Sequence, residues 1–348
     1  MPVYFEREPV RSGLPADGLP GAAPGAFDEA DASCLTIGLI NNMPDPALQA
    51  TERQFVALLG AAADGLGVRL RPYALPEVPR TEWGREYVTR CYAGLDALWS
   101  SQLDGLIVTG TEPRSPNLRD EPYWGSLISV LEWAEQHTYS AVWSCLATHA
   151  ALLHLDGIDR RPLDDKRFGV FECVRVADHP LTAGAPARLR MPHSRWNDIP
   201  EEALAACGYR VLTRSDAAGA DAFVKERKSL FVFFQGHPEY EAHTLLLEYR
   251  RDIKRFLTRE RETYPTMPQG YFDEATVAVL TALRERALAD RREEILADFP
   301  TALAAATVTN TWRPTATHLY RNWLRYMSAE KARSLQSSQG RTRCPNQS

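Results

Sequence analysis

Three side chains have the types and surroundings to do covalent chemistry together: Cys145, His237 and Glu239. Cys145 follows the run Ser140-Ala141-Val142-Trp143-Ser144 and precedes a helical stretch over 147–155. A cysteine between a buried strand and a helix sits on a tight turn, and its neighbours Ser144 and Ala147 are small enough to allow one, as at a nucleophile elbow. The unpaired N–H groups that open a helix favour a thiolate and a developing oxyanion. The alternative is a buried, inert cysteine. The second signal is Phe231-Val232-Phe233-Phe234-Gln235-Gly236-His237-Pro238-Glu239. An apolar strand ends there and presents a histidine that can move a proton, with a carboxylate two residues on that can orient the ring. Alone, this segment reads as a turn with a solvated His and Glu. With Cys145 at another strand end, the set becomes a nucleophile, a base and an orienter.

Elements of matching character must position these groups. Leu35-Thr36-Ile37-Gly38-Leu39-Ile40, Val68-Arg69-Leu70-Arg71-Pro72-Tyr73 and Asp104-Gly105-Leu106-Ile107-Val108-Thr109-Gly110, the last ending in Gly at a turn, read as strands. Residues 48–59 and 124–138 space their apolar positions for helices. Strands alternating with helices predict an α/β fold with a parallel sheet covered on both faces, and ligands bind such sheets at the carboxyl ends of the strands. Further strands are expected over 171–176, 209–213, 222–225 and 230–234, and helices over 275–289 and 318–327. The expected organisation is a flexible Gly/Pro-rich arm over 1–34, an α/β domain over 35–265, a helical extension over 266–331 and a loose tail over 332–348.

Composition narrows the function. Lys plus Arg is 40 and Asp plus Glu is 45, so the net charge is 40 − 45 = −5, which argues against a nucleic-acid binder. No run approaches the roughly 20 apolar residues of a membrane span. Met1-Pro2-Val3-Tyr4-Phe5-Glu6-Arg7-Glu8 lacks the apolar core of a signal peptide. The six cysteines contain no C-x-x-C pair, so neither a disulfide framework nor a metal site is expected; a reducing cytoplasm is.

A cysteine elbow with a later His-Pro-Glu resembles the class I glutamine amidotransferase superfamily, whose sheet is flavodoxin-like. More specifically, the chain resembles the homoserine O-acyltransferase (homoserine O-succinyltransferase) family. The pieces that carry the resemblance are Leu39-Ile40-Asn41-Asn42-Met43-Pro44, Asp104-Gly105-Leu106-Ile107-Val108-Thr109-Gly110, Lys166-Arg167-Phe168-Gly169-Val170-Phe171, Pro192-His193-Ser194-Arg195, Gly236-His237-Pro238-Glu239-Tyr240, Glu248-Tyr249-Arg250-Arg251-Asp252, Asn310-Thr311-Trp312-Arg313 and Asn322-Trp323-Leu324. They run in order from about residue 35 to 327.

The resemblance implies acyl transfer in methionine biosynthesis. Cys145 takes an acyl group from acyl-CoA, succinyl-CoA being expected, and His237 with Glu239 activates the hydroxyl of homoserine. It implies that Arg251 grips the amino-acid carboxylate, that Lys166 and Ser194 complete the acceptor site, and that the molecule is a homodimer. Glu248, one helical turn before Arg251, is placed to fix the guanidinium. CoA is a co-substrate, and no bound cofactor is expected.

The chain departs from the family pattern at three places. Asp45-Pro46 stands where two lysines are usual, and Leu146-Ala147-Thr148-His149 stands where Trp-Gly-Ala-Gln is usual. His149 is expected to pack within its helix. The third position bears on the donor: acetyl users carry Glu four residues after the glycine of the Thr-Gly turn and succinyl users carry Gly, and here the slot holds Arg114. An arginine can pair with the free carboxylate of a succinyl group. Alternatively Glu112, two residues earlier, repels it and selects acetyl. Other open readings are serine as acceptor, a glutaminase-type amidohydrolase on the same scaffold, and a non-catalytic relative.

Overall fold

The computed structural model describes residues 3–6 and 33–342. Among the described residues one ten-stranded sheet forms the centre. Its strands are β1 (Val3–Phe5), β2 (Cys34–Ile40), β3 (Gly67–Tyr73), β4 (Gly105–Val108), β5 (Ser140–Ser144), β6 (Arg161–Arg175), β7 (Arg188–Asp198), β8 (Arg210–Ser215), β9 (Gly219–Glu226) and β10 (Leu230–Phe234). The spatial order is β1-β3-β2-β4-β5-β10-β9-β8-β6-β7. The first six in that order run parallel, and the remaining four continue the sheet antiparallel. The central strands β2, β4, β5 and β10 are buried along their whole length, as their unbroken apolar sequences require when both faces are covered.

The described residues form ten α-helices around the sheet: α1 (Leu48–Ala62), α2 (Glu82–Cys91), α3 (Leu95–Trp99), α4 (Trp124–His137), α5 (Leu146–Asp156), α6 (Glu201–Ala206), α7 (Thr244–Leu257), α8 (Glu274–Ala289), α9 (Thr301–Thr307) and α10 (Arg313–Thr342). One apolar cluster gathers Leu98 of α3, Leu131 of α4, Leu152 of α5 and Leu204 of α6 around Trp143 and Phe231. A second packs α1 and α10 against the opposite face of the sheet, with Phe55, Leu59, Trp323 and Met327 among its members. A third holds α7, α8 and α9 against Phe168 and Val170 of β6.

The C-terminal helix therefore belongs to the sheet's own packing. Trp323 Nε1 donates to Ser140 Oγ (2.8 Å), and Ser140 Oγ donates to the Leu230 carbonyl (2.6 Å). Buried Lys331 reaches Asp104 Oδ2 at 3.1 Å.

Three expectations need correction. Residues 1–34 are not wholly an arm: Val3–Phe5 pairs parallel with Val68–Leu70, because Val3 and Phe5 alternate onto the apolar layer of α1. Residues 7–32 of that arm lie outside the described residues. The tail is not loose through 332–342, where α10 continues, while 343–348 lie outside the described residues. Finally, β6 begins ten residues before the expected strand and pairs with β7, a strand whose polar, half-exposed sequence hides it.

No helix of the described residues is long and apolar enough to cross a membrane, and none of their His, Cys, Asp and Glu side chains cluster as a metal site.

Candidate active site

Adjacent parallel strands deliver the first cluster. Ser144, the last residue of β5, lies opposite Phe234, the last residue of β10. The chains that follow, Cys145 on one and Gln235-Gly236-His237 on the other, leave the carboxyl edge of the sheet side by side. The Cys145 amide donates to the Phe234 carbonyl at 2.8 Å and ties the elbow to β10.

Cys145 caps α5 with φ 53 and ψ −113. A non-glycine residue there carries strain of order 1–3 kcal/mol. The turn sets Cys145 directly before α5, whose first N–H groups have no acceptor within the helix. Gly110 makes this packing possible. A Cβ on it would lie 2.8 Å from Leu146 Cβ and 2.9 Å from Leu146 N, so only glycine lets the loop after β4 press on the start of α5.

His237 Nδ1 and Glu239 Oε1 are 2.9 Å apart, with both side chains buried. The His237 amide donates to the Pro192 carbonyl at 2.8 Å, which fixes the backbone. Nε2 is buried without a hydrogen-bond partner among the described residues, and Cys145 is near enough to act on the charge of the ring. Burial opposes a charge on this ring. The Glu239 carboxylate and the neighbouring Cys145 outweigh burial and hold its proton well above the usual histidine range. Cysteine, imidazole and carboxylate thus form a connected relay in the order acyl-transfer chemistry needs.

A second cluster surrounds Glu248 on α7. Ser194 Oγ donates to Glu248 Oε2 at 2.5 Å, Lys166 Nζ approaches the same oxygen at 3.4 Å, and Tyr240 OH donates to Oε1 at 2.6 Å. Lys166 also donates to Asp252 Oδ2 at 3.0 Å, and Arg251 Nε donates to Asp252 Oδ1 at 3.0 Å. Burial works against both carboxylates, but Lys166 and Arg251 hold Glu248 and Asp252 below their ordinary values. The network is almost dry except at one place: the Arg251 side chain is 49% exposed. A planar cation anchored at one edge and open at the other can receive a carboxylate.

Tyr240 joins the clusters. Its ring stacks on His237 at 4.2 Å between centroids while its hydroxyl binds Glu248. Burial, then the carboxylates of Glu248 and Glu239, keep the phenol protonated, so it acts as a donor. Its carbonyl accepts from Trp312 Nε1 (2.9 Å) and Asn310 Nδ2 (3.1 Å). The Asn-Thr-Trp-Arg segment far along the chain therefore holds the site from behind.

All seven expected catalytic and acceptor-site residues fall within these two joined clusters: Cys145, His237, Glu239, Arg251, Lys166, Ser194 and Glu248. Tyr240 and Asp252 were not singled out from the sequence. Asp252 lies at the i+4 position from Glu248, a spacing that puts both carboxylates on one helix face. Tyr240 gave no signal, since an aromatic after a buried strand reads as core.

The two donor-selectivity residues lie on the loop after β4. Glu112 is engaged by Arg255 through both terminal nitrogens (3.0 and 3.1 Å). Arg114 and Ser115 donate their amides to Glu121 Oε1 at 2.6 Å each, which pins the loop, and the exposed Arg114 side chain lines a neighbouring cleft. In place of a family lysine, Asp45 bonds Arg80 Nη1 (3.1 Å) and the Thr81 amide and hydroxyl (2.7 Å each).

His149 packs inside α5, as its place on the buried face of the helix requires. Its Nε2 lies 3.3 Å from Gln235 Oε1, and burial pushes its pKa down to about 3. The folded chain thus resists a proton that the unfolded chain binds below about pH 6.5. Its contribution is intact above that value and is lost as the pH falls toward 3, at about 1.4 kcal/mol per pH unit. His149→Gln is expected to flatten acid destabilisation between pH 6.5 and 4 by that slope. Urea titrations across the range check it.

Comparison with known proteins finds similarity over most of the chain. The family model described as homoserine O-succinyltransferase matches residues 8–334. Homoserine O-succinyltransferase of Methylorubrum extorquens is 49% identical over 294 residues, 84% of this chain and 87% of its own. That of Rhodopseudomonas palustris is 47% identical over 301 residues, 86% and 90% of the two chains. Among solved structures, a glutamine amidotransferase from Methylobacillus flagellatus aligns at 16% identity and a TM-score of 0.47, covering 84% of this chain and 95% of that one. On a match spanning both clusters and nearly the whole described chain, this protein belongs to the homoserine O-succinyltransferase family.

Proposed function

We propose that this chain moves a succinyl group from succinyl-CoA to the hydroxyl of L-homoserine through a thioester on Cys145, a step of methionine biosynthesis. The carrying observation is that Tyr240 joins a cysteine–histidine–carboxylate relay to a buried cluster ending in the open face of Arg251. One cluster suits acyl chemistry, and the other suits an amino-acid carboxylate and amine.

In the first half-reaction the Cys145 thiolate attacks the thioester carbonyl. The oxyanion meets the N–H groups that open α5, beginning at Leu146. The tetrahedral adduct collapses with cleavage of the bond to CoA sulfur, and the leaving thiolate takes the proton of the His237 imidazolium. CoA departs, leaving acyl-Cys145 and neutral His237. In the second half-reaction homoserine lies with its carboxylate on Arg251 and its ammonium toward Glu248. Neutral His237 takes the hydroxyl proton as the oxygen attacks the acyl carbonyl. Collapse expels the Cys145 thiolate, releases the ester and restores the starting ion pair. Glu239 holds the ring in the tautomer that keeps Nε2 free to exchange a proton in both halves.

The donor reading rests on charge. Glu112, the residue that would repel a succinyl carboxylate, is paired bidentately with Arg255, whereas Arg114 keeps its side chain toward solvent. Initial rates with succinyl-CoA and acetyl-CoA, each with homoserine, serine or glutamine, test the reading. Succinyl-CoA with homoserine should exceed every other pair by at least about ten-fold. Acetyl-CoA outpacing succinyl-CoA would overturn the donor. Ammonia release from glutamine would overturn the reaction class.

A further inference from the structure

The site above accounts for the thioester and the acceptor but not for the long carrier on which the acyl group arrives. Next to it lies a cavity of 1370 Å³, walled by the loops that follow β2 and β3, by α2, and by Arg114 of the loop after β4. Ordinary small-molecule pockets hold roughly 300–1,000 Å³, so this one accommodates an extended ligand.

Its walls are rigid and continuous with the nucleophile. Asn42, two residues before the lining residue Pro44, donates its amide to Thr109 Oγ1 (2.8 Å) and its side chain to the Thr109 carbonyl (3.2 Å). The next residue is Gly110, whose backbone presses on Leu146. Four residues later Arg114 lines the cavity, its loop held by Glu121.

On the α2 wall, Trp83 is 48% exposed and stacks its inner face on Tyr87, at 5.3 Å and 16°. Tyr87 OH in turn donates to buried Glu52 (2.8 and 2.9 Å), so the indole stands on a fixed base in the cavity wall. Arg85, two residues on, also lines the cavity; it is exposed and gives a bond inward, from Nη1 to the Arg80 carbonyl (2.7 Å). Two acids line the cavity: Asp45 spends its carboxylate on Arg80 and on Thr81 at the start of α2, and Glu77 accepts from Ser126 Oγ (2.7 Å). An exposed aromatic ring and an exposed guanidinium lining one cavity suit a nucleobase and its phosphates.

We infer that this cavity binds the nucleotide and pantetheine of the acyl-CoA donor, with the adenine on Trp83, the phosphates on Arg85, and the thioester end led past Arg114 to Cys145. This rests on the acyl-CoA chemistry of the preceding section and adds the place where the carrier is held. The Asp45–Arg80 pair then replaces the missing lysines as a structural brace, while charge toward the carrier comes from α2.

The test compares two donors, succinyl-CoA and succinyl-pantetheine, which share the thioester but differ in the nucleotide. In the natural chain succinyl-CoA should have the larger kcat/KM. In Arg85→Glu and in Trp83→Ala that advantage should fall by about ten-fold or more, through KM for succinyl-CoA. Both positions are on the surface, so folding is not at issue, and circular dichroism verifies it. Adenosine 3′,5′-bisphosphate should compete with succinyl-CoA in the natural chain and lose that competition in Arg85→Glu. An advantage unchanged within two-fold in both variants, with competition intact, would overturn the inference. If neither donor acylates Cys145 in the natural chain, the preceding functional reading fails instead.

Discussion

Cys145→Gly is expected to give a protein that is catalytically dead and more stable than Cys145→Ala. Both substitutions remove the thiol, so acyl transfer should drop at least about 10⁴-fold in each, to the background left by binding and oxyanion contacts. Stability separates them. At φ 53 and ψ −113 any residue with a Cβ is strained, and glycine is not. Relief of about 1–3 kcal/mol is offset by the roughly 0.4–1 kcal/mol that glycine loses in backbone freedom. A net gain of about 1 kcal/mol over the alanine variant should appear in urea titrations. A glycine variant no more stable than alanine would mean that the elbow stores no strain, and residual turnover in either would remove the nucleophile from the mechanism.

The second large effect concerns the acceptor. Arg251→Ala should raise KM for homoserine about 100-fold, equivalent to about 2.7 kcal/mol, and leave acylation of Cys145 by the donor unchanged. The reasoning is geometric. Arg251 is anchored by Asp252 through its Nε (3.0 Å) and Nη2 (2.9 Å), while half of its side chain faces solvent. Removing it takes away a charged hydrogen-bonding group that no neighbour replaces, because buried Lys166 is already committed to Glu248 and Asp252. Arg251→Lys should recover only part of the loss, since an ammonium cannot hold Asp252 and a substrate carboxylate in one plane. Separate measurement of the two half-reactions checks this. A slower acylation step with KM unchanged would place Arg251 outside the acceptor site.

How much of this was legible depends on the kind of signal each residue left. The parallel strands announced themselves because both faces are covered, which makes β2, β4, β5 and β10 unbroken apolar runs. From two such runs followed by Cys145 and His237 it follows that the residues emerge at the same edge, and the register of Ser144 opposite Phe234 brings them together. The β6–β7 hairpin was harder, since its outer positions are charged and exposed and its inner ones follow no strict alternation. Yet that hairpin carries Lys166 and Ser194, so the acceptor cluster could be named by resemblance but not placed. Strand β1 is three residues beside a Gly/Pro-rich segment and acquires its structure only from pairing with β3. Helix α10 was half visible: Trp323, Leu324 and Met327 mark its buried face, but its length reflects packing on α1 and the ion pair at Lys331. Tyr240 illustrates the limit. Its neighbours place it after a strand, and only the folded chain brings its ring onto His237 and its hydroxyl to Glu248.

The departures from the family pattern are now physical statements. Asp45 is a brace for Arg80 and the start of α2, and Gly84 is required beside it because a Cβ there would fall 2.2 Å from Asp45 Oδ1. His149 is a neutral core residue whose cost is paid only in acid.

The central claim is that Cys145 carries the acyl group between donor and acceptor. Intact-protein mass spectrometry after brief exposure to succinyl-CoA without acceptor tests it most directly. The account predicts one succinyl increment, mapped by peptide sequencing to Cys145, absent from Cys145→Ala and discharged within one turnover when homoserine is added. No adduct, or an adduct that homoserine leaves in place, would contradict it.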